Sequence, residues 1–554
     1  MIILMLAAKK LLFSLVFVFL QLGNAEFVKA QTGDIQSVIY KAIEKARPAS
    51  VRIWGFDTVS KQQNSAQFSG VVVSPEGHVL TVAHTVKPGN TYKILFPDGL
   101  EVLGVAHGRI GMTNDANRPD MGMIKIQQKG TYPFAEMAWS GSLKPDEPCL
   151  SIAYPEKLNQ LFPTIRFGVI ADTQLHYGFL RSTCKMEPGD SGGPLFDYLG
   201  RVIALHSRID TLEKDNYEVP VDLYRKYWTA LNEIKDYETL PSTLDSIGTD
   251  SLKDEILTMA ELGPLPAFKH SASVVSIRTV AHGKETAILG TVIQFKGSLY
   301  VLSKSSEVGD KGYILAAGRK NNFSIVARDK DKDLVLLKVK GSLHRSISAL
   351  LPGALRQVEL KSGAPLSAQV GGHKVMTGAL SSGAFDLPLM FSRGFFGANA
   401  VFRNSKVELS SIYPGSPAET GGLQLGDKIL EIGGVPMTAP IDYGRTLGGY
   451  IPGEDVKINL ERNGANLVKV ITMKKVPETS HPAGKFAGGS STRCDGFKNV
   501  FVHDIAVRAD ECGSPVFTSE GKFMGINIAR FSRTATVVIK TSDIQSFLET
   551  SVKE

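Results

Sequence analysis

Cysteine is scarce in this sequence, and long apolar runs are missing after the first thirty residues. The four Cys among 554 residues are too few for a disulfide framework, and no two of them form a CxxC pair. No later segment reaches the roughly 20 apolar residues that a membrane-spanning helix needs. Basic runs interleaved with aromatic residues are also missing, although the net charge is +7. These absences argue against a disulfide-rich protein, a multi-span membrane protein and a nucleic-acid partner.

What the sequence does contain is ordinary globular material with many glycines. Hydrophobic residues make up 43% of the chain and charged residues 21%, a balance that excludes a disordered chain. At roughly 150 residues per domain, the length predicts three or four domains. The 54 glycines exceed the usual share of about 7%, and such an excess accompanies tight turns between short strands. We therefore expect a mainly β protein.

The first thirty residues have the layout of a secretory signal peptide. Lys9 and Lys10 precede an apolar run over residues 11–20, and small residues follow at possible cleavage sites. An uncleaved anchor is the alternative, but about a dozen apolar residues are too few to span a bilayer. We predict a signal peptide over residues 1–30, no stable membrane span, and an exported protein that is periplasmic or extracellular after cleavage.

The second half of the chain repeats the first. Asp120-Met-Gly-Met-Ile-Lys-Ile returns as Asp333-Leu-Val-Leu-Leu-Lys-Val, and Ser191-Gly-Gly-Pro-Leu-Phe returns as Cys512-Gly-Ser-Pro-Val-Phe. In both copies, short runs rich in β-formers alternate with Gly, Pro and Asp turns, which predicts barrels or sandwiches. The two motifs lie 71 positions apart in the first copy and 179 in the second. The second copy therefore carries an insertion of domain size.

The insertion has motifs of its own. Ser416-Pro-Ala-Glu, Gly422-Leu-Gln-Leu-Gly-Asp-Lys-Ile-Leu and Gly433-Gly-Val-Pro resemble the PDZ family. The resemblance implies a loop with the pattern apolar-Gly-apolar, which cradles a terminal carboxylate on its backbone N–H groups, and a peptide strand that pairs beside this loop. The residues that fit this loop are Phe395, Phe396, Gly397 and Ala398. Hydrophobic C-terminal peptides are the implied ligands; a groove occluded by the flanking barrel is the alternative.

A catalytic constellation lies in the first copy. The run Gly189-Asp190-Ser191-Gly192-Gly193 places a hydroxyl on a turn of small residues, where a substrate backbone can approach closely. The N–H groups of Gly189 and Ser191 can point together at a carbonyl oxygen, as in an oxyanion hole. A nucleophilic Ser needs a base and a carboxylate that orients the base, and His84 and Asp120 supply these groups in the order His, Asp, Ser.

On these residues, the segment 50–230 resembles a trypsin-fold serine protease, and the whole chain resembles the HtrA (Deg) family of extracytoplasmic proteases. The resemblance implies two antiparallel β-barrels, with His84 as base, Asp120 as orienter and Ser191 as nucleophile of an acyl-enzyme. It implies protein or peptide substrates, a role in envelope protein quality control or processing, and neither cofactor nor metal; an oligomer is compatible with it. A non-catalytic peptide-binding scaffold or chaperone is the alternative.

The second copy departs from that pattern at its chemical positions. Ser306 stands where the base should be, and Asp510 replaces the Gly of the oxyanion turn. Asp333 is retained, and Cys512 occupies the position of the nucleophile. We expect a structural role for this copy; a second, Cys-dependent site is the alternative. Whether Cys512 pairs with Cys494 stays open at this point.

Cleavage preference is the least constrained prediction. Lys185, six positions before Ser191, and His206, on the following strand, are candidates for a cationic specificity pocket that would favour Glu or Asp. Met186 and Ile209 do not fit the other pocket residues of glutamate-specific enzymes. The alternative is a pocket for small apolar residues, as the HtrA resemblance implies.

Together these observations predict a mainly β chain with a trypsin-like double barrel, a second, degenerate double barrel, and a PDZ domain inserted in the second. Helical spacing of apolar residues predicts helices over 35–46, 221–234, 252–262 and 542–548. The predicted order is a signal peptide (1–30), a protease domain (33–235), a helical linker (236–265), the first part of the degenerate domain (266–392), the PDZ domain (393–477), and a linker with the remainder of the degenerate domain (478–554).

Overall fold

The computed structural model describes residues 35–111, 120–176, 178–210, 212–246, 273–281, 283–355, 358–371, 374–476 and 481–553. The predicted signal peptide (1–30) and the predicted linker helix (252–262) lie outside the described residues. None of the described helices is long and apolar enough to cross a membrane.

Helix α1 (Ile35–Ala46) has the predicted bounds. Its apolar residues recur every three or four positions, so Ile39, Ala42 and Ile43 share one buried face. That face belongs to a core that also contains Ala379 from the second half of the chain. Helix α1 therefore lies where the two halves meet.

The first barrel has the strands β1 (Ser50–Asp57), β2 (Gln62–Val72), β3 (His78–Thr81), β4 (Thr91–Leu95), β5 (Glu101–Ile110) and β6 (Met121–Ile126). They follow the order β5-β4-β1-β2-β3-β6, and β5 also pairs with β6, which closes the ring. From Val102 onward every second residue of β5 is buried, as expected for a strand with one face in a core.

The second barrel has the strands β7 (Pro148–Ala153), β8 (Thr164–His176), β9 (Phe179–Ser182), β10 (Pro194–Phe196), β11 (Val202–Ile209) and β12 (Asn216–Pro220), closed in the order β7-β8-β9-β12-β11-β10. Two short helices follow, α2 (Val221–Lys226) and α3 (Trp228–Asn232), where one helix over 221–234 was predicted. The helix breaks at Tyr227, which leaves helical geometry (φ −117°, ψ 24°) and is buried in the same core as Tyr224. Strand β13 (Asp236–Tyr237) then adds to β5.

The second copy repeats this plan. Its first barrel has the strands β14 (Val274–Ala281), β15 (Lys284–Phe295), β16 (Ser298–Lys304), β17 (Gly312–Ala316), β18 (Arg319–Asp329) and β19 (Leu334–Val339), in an order that matches the ring of β1 to β6. Its second barrel begins with β20 (Pro365–Gln369) and β21 (Val375–Leu387).

The PDZ insertion follows β21. It has the strands β22 (Ala398–Arg403), β23 (Lys406–Ile412), β24 (Lys428–Ile432), β25 (Val435–Pro436), β26 (Asp455–Arg462) and β27 (Ala465–Thr472), with helices α4 (Pro417–Thr420) and α5 (Pro440–Leu447). The sheet order is β22-β23-β24-β26-β27, with β25 paired to β24.

After the insertion, the second copy resumes with β28 (Phe497–His503), β29 (Pro515–Thr518), β30 (Phe523–Arg530) and β31 (Thr536–Lys540), and helix α6 (Thr541–Ser551) contains the predicted helix over 542–548. The barrel order β20-β21-β28-β31-β30-β29 matches that of β7 to β12. The insertion thus replaces the turn that joins β8 to β9 in the first copy. A hairpin turn accepts a domain there because its two ends already lie close together. The predicted fold class is confirmed.

The two copies meet through equivalent strands, β8 and β21. Asp504 lies between them and accepts hydrogen bonds from the Phe167 N–H (2.8 Å) and the Ala379 N–H (2.7 Å). Burial raises the pKa of this carboxyl to about 6. One side chain of the second copy therefore links the backbones of both.

Candidate active site

His84 and Asp120 are brought together by strand pairing in the first barrel. His84 lies in a 3-10 turn just after β3, and Asp120 directly precedes β6, which pairs with β3. The Nδ1 atom of His84 is 2.7 Å from Asp120 Oδ2, and the His84 backbone N–H donates to Asp120 Oδ1 at 3.0 Å. The hydroxyl of Ser207 donates to Oδ2 at 2.7 Å. The carboxylate thus holds the imidazole in one orientation.

Ser191 reaches this pair from the second barrel. Its Oγ atom is 3.0 Å from His84 Nε2, so hydrogen-bond distances run from Asp120 through His84 to Ser191. The Ser191 carbonyl accepts from the Ser69 N–H of β2 at 2.9 Å, which ties the nucleophile turn to the first barrel. The structure therefore brings all three residues together across the barrel interface.

The electrostatics of the pair favour an acidic Asp120 and a basic His84. Burial opposes the charged form of each group, but the hydrogen bond and charge of the partner outweigh it. As a result the pKa of His84 is raised and the pKa of Asp120 is lowered. Such a pair accepts a proton at Nε2 while the carboxylate stays ionised.

The N–H groups of Gly189 and Ser191 are oriented by the carbonyls that precede them. The Pro188 carbonyl accepts from the Glu156 N–H at 2.8 Å, and the Asp190 carbonyl accepts from the Gly193 N–H at 2.7 Å. In a trans peptide the C=O and the next N–H point in opposite directions, so both N–H groups are turned away from these partners. Neither donates a hydrogen bond within the described part of the chain. Both remain for a substrate oxygen.

Only glycine fits the first of these positions. Gly189 has φ +98°, and a Cβ there would lie 2.4 Å from the Glu156 backbone nitrogen. The left-handed conformation and the backbone contact both exclude a side chain. Glycine at this position is therefore a requirement of the turn.

A buried ion pair holds the turn from behind, and the sequence analysis missed it. Arg166 of β8 makes a bidentate pair with Asp190, at 2.7 and 2.6 Å, and also donates to the Lys185 carbonyl at 2.6 Å. Breaking a buried pair costs about 3–5 kcal/mol, more than the roughly 1 kcal/mol of a neutral hydrogen bond. Removing either partner would therefore leave an unpaired buried charge behind the turn. An arginine inside the otherwise apolar run of residues 165–171 was the available signal.

The cleft beside the triad is lined by Gln67, Phe68, His84, Met186, Pro188, Gly189, Ser191, Ile209, His481 and Pro482, among others. The two expected pocket cations are elsewhere. His206 is fully buried behind the cleft, with Nε2 2.7 Å from Ser151 Oγ, and burial lowers its pKa to about 3. Lys185 pairs with Glu213 and faces the cavity between β8 and β21. The expected cationic pocket is therefore not formed by these side chains, because Lys185 is held in an ion pair and His206 is buried beside Ser151.

The corresponding place in the second copy has different contacts. Ser306 occupies the 3-10 turn after β16 and donates to Asp333 through its N–H (2.7 Å) and its hydroxyl (2.9 Å). The buried Lys304 ammonium lies 2.6 Å from the same carboxylate. Asp510, at the oxyanion-turn position, is exposed and pairs with Arg508. A lysine thus neutralises the carboxylate that would orient a base.

Cys512 is fully buried, and burial raises the pKa of its thiol to about 11. Cys494 is also buried, and neither forms a disulfide, which answers the question that the sequence left open. A buried thiol with a raised pKa is a poor nucleophile.

The predicted carboxylate loop, residues 395–398, lies directly before and at the start of strand β22. Gly397 has φ +81°, and the carbonyls of Phe396 and Gly397 accept from Ala418 and Tyr413. By the same peptide geometry, the N–H groups of Gly397 and Ala398 face away from those partners. The Ala398 carbonyl, however, accepts from the Tyr443 hydroxyl of α5 at 2.9 Å. Phe395 pairs with Lys474 through its backbone.

No cluster of three or more His, Cys, Asp or Glu side chains that could hold a metal ion occurs among the described residues.

Two regions of the chain match known families. Residues 68–205 match the Trypsin-like peptidase domain, and residues 408–448 match the PDZ domain.

Several proteins are similar in sequence. Serine protease HTRA1 from Xenopus tropicalis is 26% identical over 37% of this chain and 48% of its own length. Putative serine protease HhoB from Synechocystis sp. is 29% identical over 26% of this chain and 34% of its own. Probable periplasmic serine endoprotease DegP-like from Pseudomonas savastanoi is 24% identical over 33% of this chain and 38% of its own length. The matched region thus spans less than half of each relative. The crystal structure of the serine endoprotease from Yersinia pestis aligns over 79% of this chain, at 15% identity and a TM-score of 0.30.

Proposed function

We propose that this chain, an HtrA-like trypsin-fold protein with a PDZ domain, is an exported serine endopeptidase. The observation that carries the proposal is the unbroken series of hydrogen-bond distances from Asp120 through His84 to Ser191, next to two N–H groups that donate to no described residue. A scaffold that only bound peptides would have no need of a buried carboxylate aligned with a base and a hydroxyl.

In the proposed mechanism each group has its own step. Ser191 Oγ attacks the scissile carbonyl and passes its proton to His84 Nε2, while the N–H groups of Gly189 and Ser191 receive the developing oxyanion. Asp120 stays ionised and stabilises the imidazolium. His84 then protonates the leaving amine, and a water molecule activated by the same imidazole hydrolyses the acyl-enzyme. Each oxyanion donor contributes about 10²- to 10³-fold in rate in enzymes of this kind.

A fluorophosphonate probe tests the proposal. It phosphonylates a serine, with loss of fluoride, only when a base and an oxyanion hole activate the hydroxyl, so we expect one label, mapped by peptide mass spectrometry to Ser191. Heat-denatured protein serves as the control and should not react. Absence of labelling in the folded chain would instead favour the peptide-binding scaffold or chaperone.

We further propose that cleavage follows small or medium apolar residues. Met186 and Ile209 line the cleft beside Ser191, whereas Lys185 pairs with Glu213 and the buried, neutral His206 lies against Ser151. A peptide-library digest should therefore give cleavage mainly after Val, Ala, Ile or Leu. Dominant cleavage after Glu or Asp would contradict this assignment.

The second copy is proposed to be a degenerate protease unit without chemistry of its own. Replacing Cys512 by Ala should leave kcat and KM within about twofold of wild type, because the thiol is buried and the carboxylate of this copy that would orient a base, Asp333, is neutralised by Lys304. Steady-state kinetics check this, with thermal unfolding to confirm the fold. A large loss of activity in a stably folded variant would revive a second site.

We propose that the PDZ groove binds hydrophobic C-terminal peptides at residues Phe395, Phe396, Gly397 and Ala398, and that Tyr443 competes with them. The Tyr443 hydroxyl occupies the Ala398 carbonyl at the edge strand where a peptide N–H would donate. The Tyr443→Phe variant of the full chain should therefore bind such peptides several-fold more tightly in fluorescence anisotropy. Equal or weaker binding by the variant would remove Tyr443 as a competitor, and no binding by either protein would remove the groove.

Export and a role in envelope protein quality control or processing complete the proposal. The sequence predicts a cleaved signal peptide over residues 1–30, and one of the similar proteins is named a periplasmic endoprotease. Amino-terminal sequencing of the protein recovered from the periplasm of an expressing bacterium tests this. We expect the mature chain to begin between residues 24 and 31; an intact Met1 would contradict export with cleavage.

A further inference from the structure

A turn of the second copy reaches the nucleophile turn of the first. Residues 531–535, which join β30 to β31, are called the β30–β31 turn here. The Ser532 hydroxyl donates to Glu187 Oε1 at 3.0 Å, and the Thr534 hydroxyl donates to the same oxygen at 2.6 Å. Ser532, Thr534 and Glu187 are all buried. The contact therefore lies in the interior of the interface between the copies.

Glu187 belongs to the segment that shapes the oxyanion site, residues 185–191, called the oxyanion loop here. Its N–H donates to Asp190 Oδ2 at 2.8 Å, and its carbonyl accepts from the Asp190 N–H at 3.0 Å. Asp190 is the residue whose peptide orients the Ser191 N–H. Any displacement of Glu187 is thus passed to Asp190 and to the amide that faces the substrate.

The Glu187 carboxyl requires donors where it lies. Burial, together with the nearby Asp190 charge, raises the pKa of Glu187. A buried carboxyl without hydrogen bonds costs more than a neutral polar group, so loss of its donors favours movement toward solvent. Both hydroxyls that donate to Oε1 come from the second copy.

A second link joins the β30–β31 turn to the start of the oxyanion loop. The Arg533 guanidinium donates to the Glu213 carbonyl at 2.5 Å and to Asn216 Oδ1 at 3.2 Å. The same Asn216 oxygen accepts from the Met186 N–H at 3.2 Å. Arg530 donates to the Arg533 carbonyl at 2.6 Å and so holds the turn in shape. One turn of the second copy therefore contacts the oxyanion loop directly at Glu187 and is linked to Met186 through Asn216.

We propose that the second copy is a built-in activator of the first: Ser532 and Thr534 are positioning residues that hold the oxyanion loop in its competent shape through Glu187. The proposal rests on the proposed function of the first copy. It gives the second copy a task that needs neither a base nor a nucleophile, which agrees with Ser306 and the buried Cys512.

The test replaces the two hydroxyls without changing volume much. In the full chain, the Ser532→Ala/Thr534→Val variant should show kcat lower by on the order of 10- to 100-fold with KM changed by less than about threefold, because small displacements of catalytic donors have effects of this size. Hydrogen exchange followed by mass spectrometry should show faster exchange in peptides that cover residues 185–191. Thr534→Ser alone, which keeps the donor, should retain near wild-type kcat.

The matched control is Thr541→Val. Thr541 is also a buried threonine of the second copy, but its hydroxyl donates from helix α6 to the Phe523 carbonyl of β30 in the same copy, at 3.0 Å. It should leave kcat and the exchange of residues 185–191 unchanged. If the double variant is unstable, the single Thr534→Val variant, which keeps the Ser532 donor, serves in its place with a smaller expected loss.

The outcomes separate this inference from the proposed function. Unchanged kcat and unchanged exchange in the double variant would overturn the inference while the protease assignment stood. Equal losses in the double variant and in Thr541→Val would also overturn it, since the effect would then be general destabilisation. If the wild-type chain did not react with a fluorophosphonate, the protease assignment would fail, and faster exchange at residues 185–191 in the double variant would still support the contact.

Discussion

The Ser191→Ala variant is expected to lose proteolysis by on the order of 10⁶-fold in kcat while keeping its fold. The substitution removes the attacking oxygen, and what remains is binding and oxyanion stabilisation. Ser191 Oγ has one hydrogen-bond partner in the described part of the chain, His84 Nε2, so its loss leaves no other buried group unsatisfied. Hydrolysis of a fluorogenic peptide or of an unfolded protein measures the loss.

Circular dichroism and thermal unfolding provide the control for this variant, and its Tm should lie within a few degrees of wild type. Fluorophosphonate labelling should disappear in parallel with proteolysis. Residual cleavage near the wild-type rate would show that Ser191 is not the nucleophile. Because the same measurement on Cys512→Ala should show almost no change, the pair of variants also assigns the activity to one copy.

The Asp120→Asn variant is expected to lower kcat by about 10⁴-fold. The amide cannot hold the imidazole in the required tautomer as the carboxylate does, and it removes the negative charge that stabilises the imidazolium. The amide oxygen can take the Oδ1 position and keep the hydrogen bond from the His84 backbone N–H, while the Ser207 hydroxyl can rotate to accept from the NH2 group at the Oδ2 position, so the local backbone has little reason to move. Steady-state kinetics with an activated ester or a peptide substrate measure the loss.

The pH dependence gives a second readout for this variant. In the wild type the pKa of His84 is raised because the Asp120 contacts outweigh burial, and the base must be neutral to accept a proton. The rate should therefore fall as the pH drops through a value above 6.5, the ordinary pKa of histidine. Without the Asp120 charge, burial is left to lower the pKa, so the acidic limb should move to lower pH. If the acidic limb of the pH–rate profile lay at the same pH in both proteins, Asp120 would not be the group that raises the pKa of His84.

Much of the fold was predictable because it depends on local pattern. The apolar spacing of residues 35–46 predicted helix α1 with its bounds, since a helix with one apolar stripe is specified by its own sequence. Two copies of one motif order predicted two copies of one barrel pair, and the longer interval in the second copy predicted the insertion. The single helix over 221–234 was wrong, because burial of Tyr227 with Tyr224 interrupts the helical geometry.

The site was predictable only in part. Residue type and order nominated His84, Asp120 and Ser191, and the structure brings them within hydrogen-bond distance. The same reasoning nominated Lys185 and His206 as candidates for the substrate pocket, but neither side chain lines the cleft beside Ser191. A motif reports which residue types stand near the nucleophile in the chain, but it does not report which side of the strand each one faces or which partner it has there.

The sequence by itself determined the strand-rich composition, the duplication, the place of the insertion and the residue types available for catalysis, because these follow from local periodicity and from motif order. Only the tertiary structure decided what holds the nucleophile turn in place. Arg166 meets Asp190 across 24 positions, and Thr534 meets Glu187 across 347. Such contacts depend on how two folded barrels lie against each other, and hydrogen-bond geometry sensitive to tenths of an ångström is set by that packing and not by any pattern along the chain.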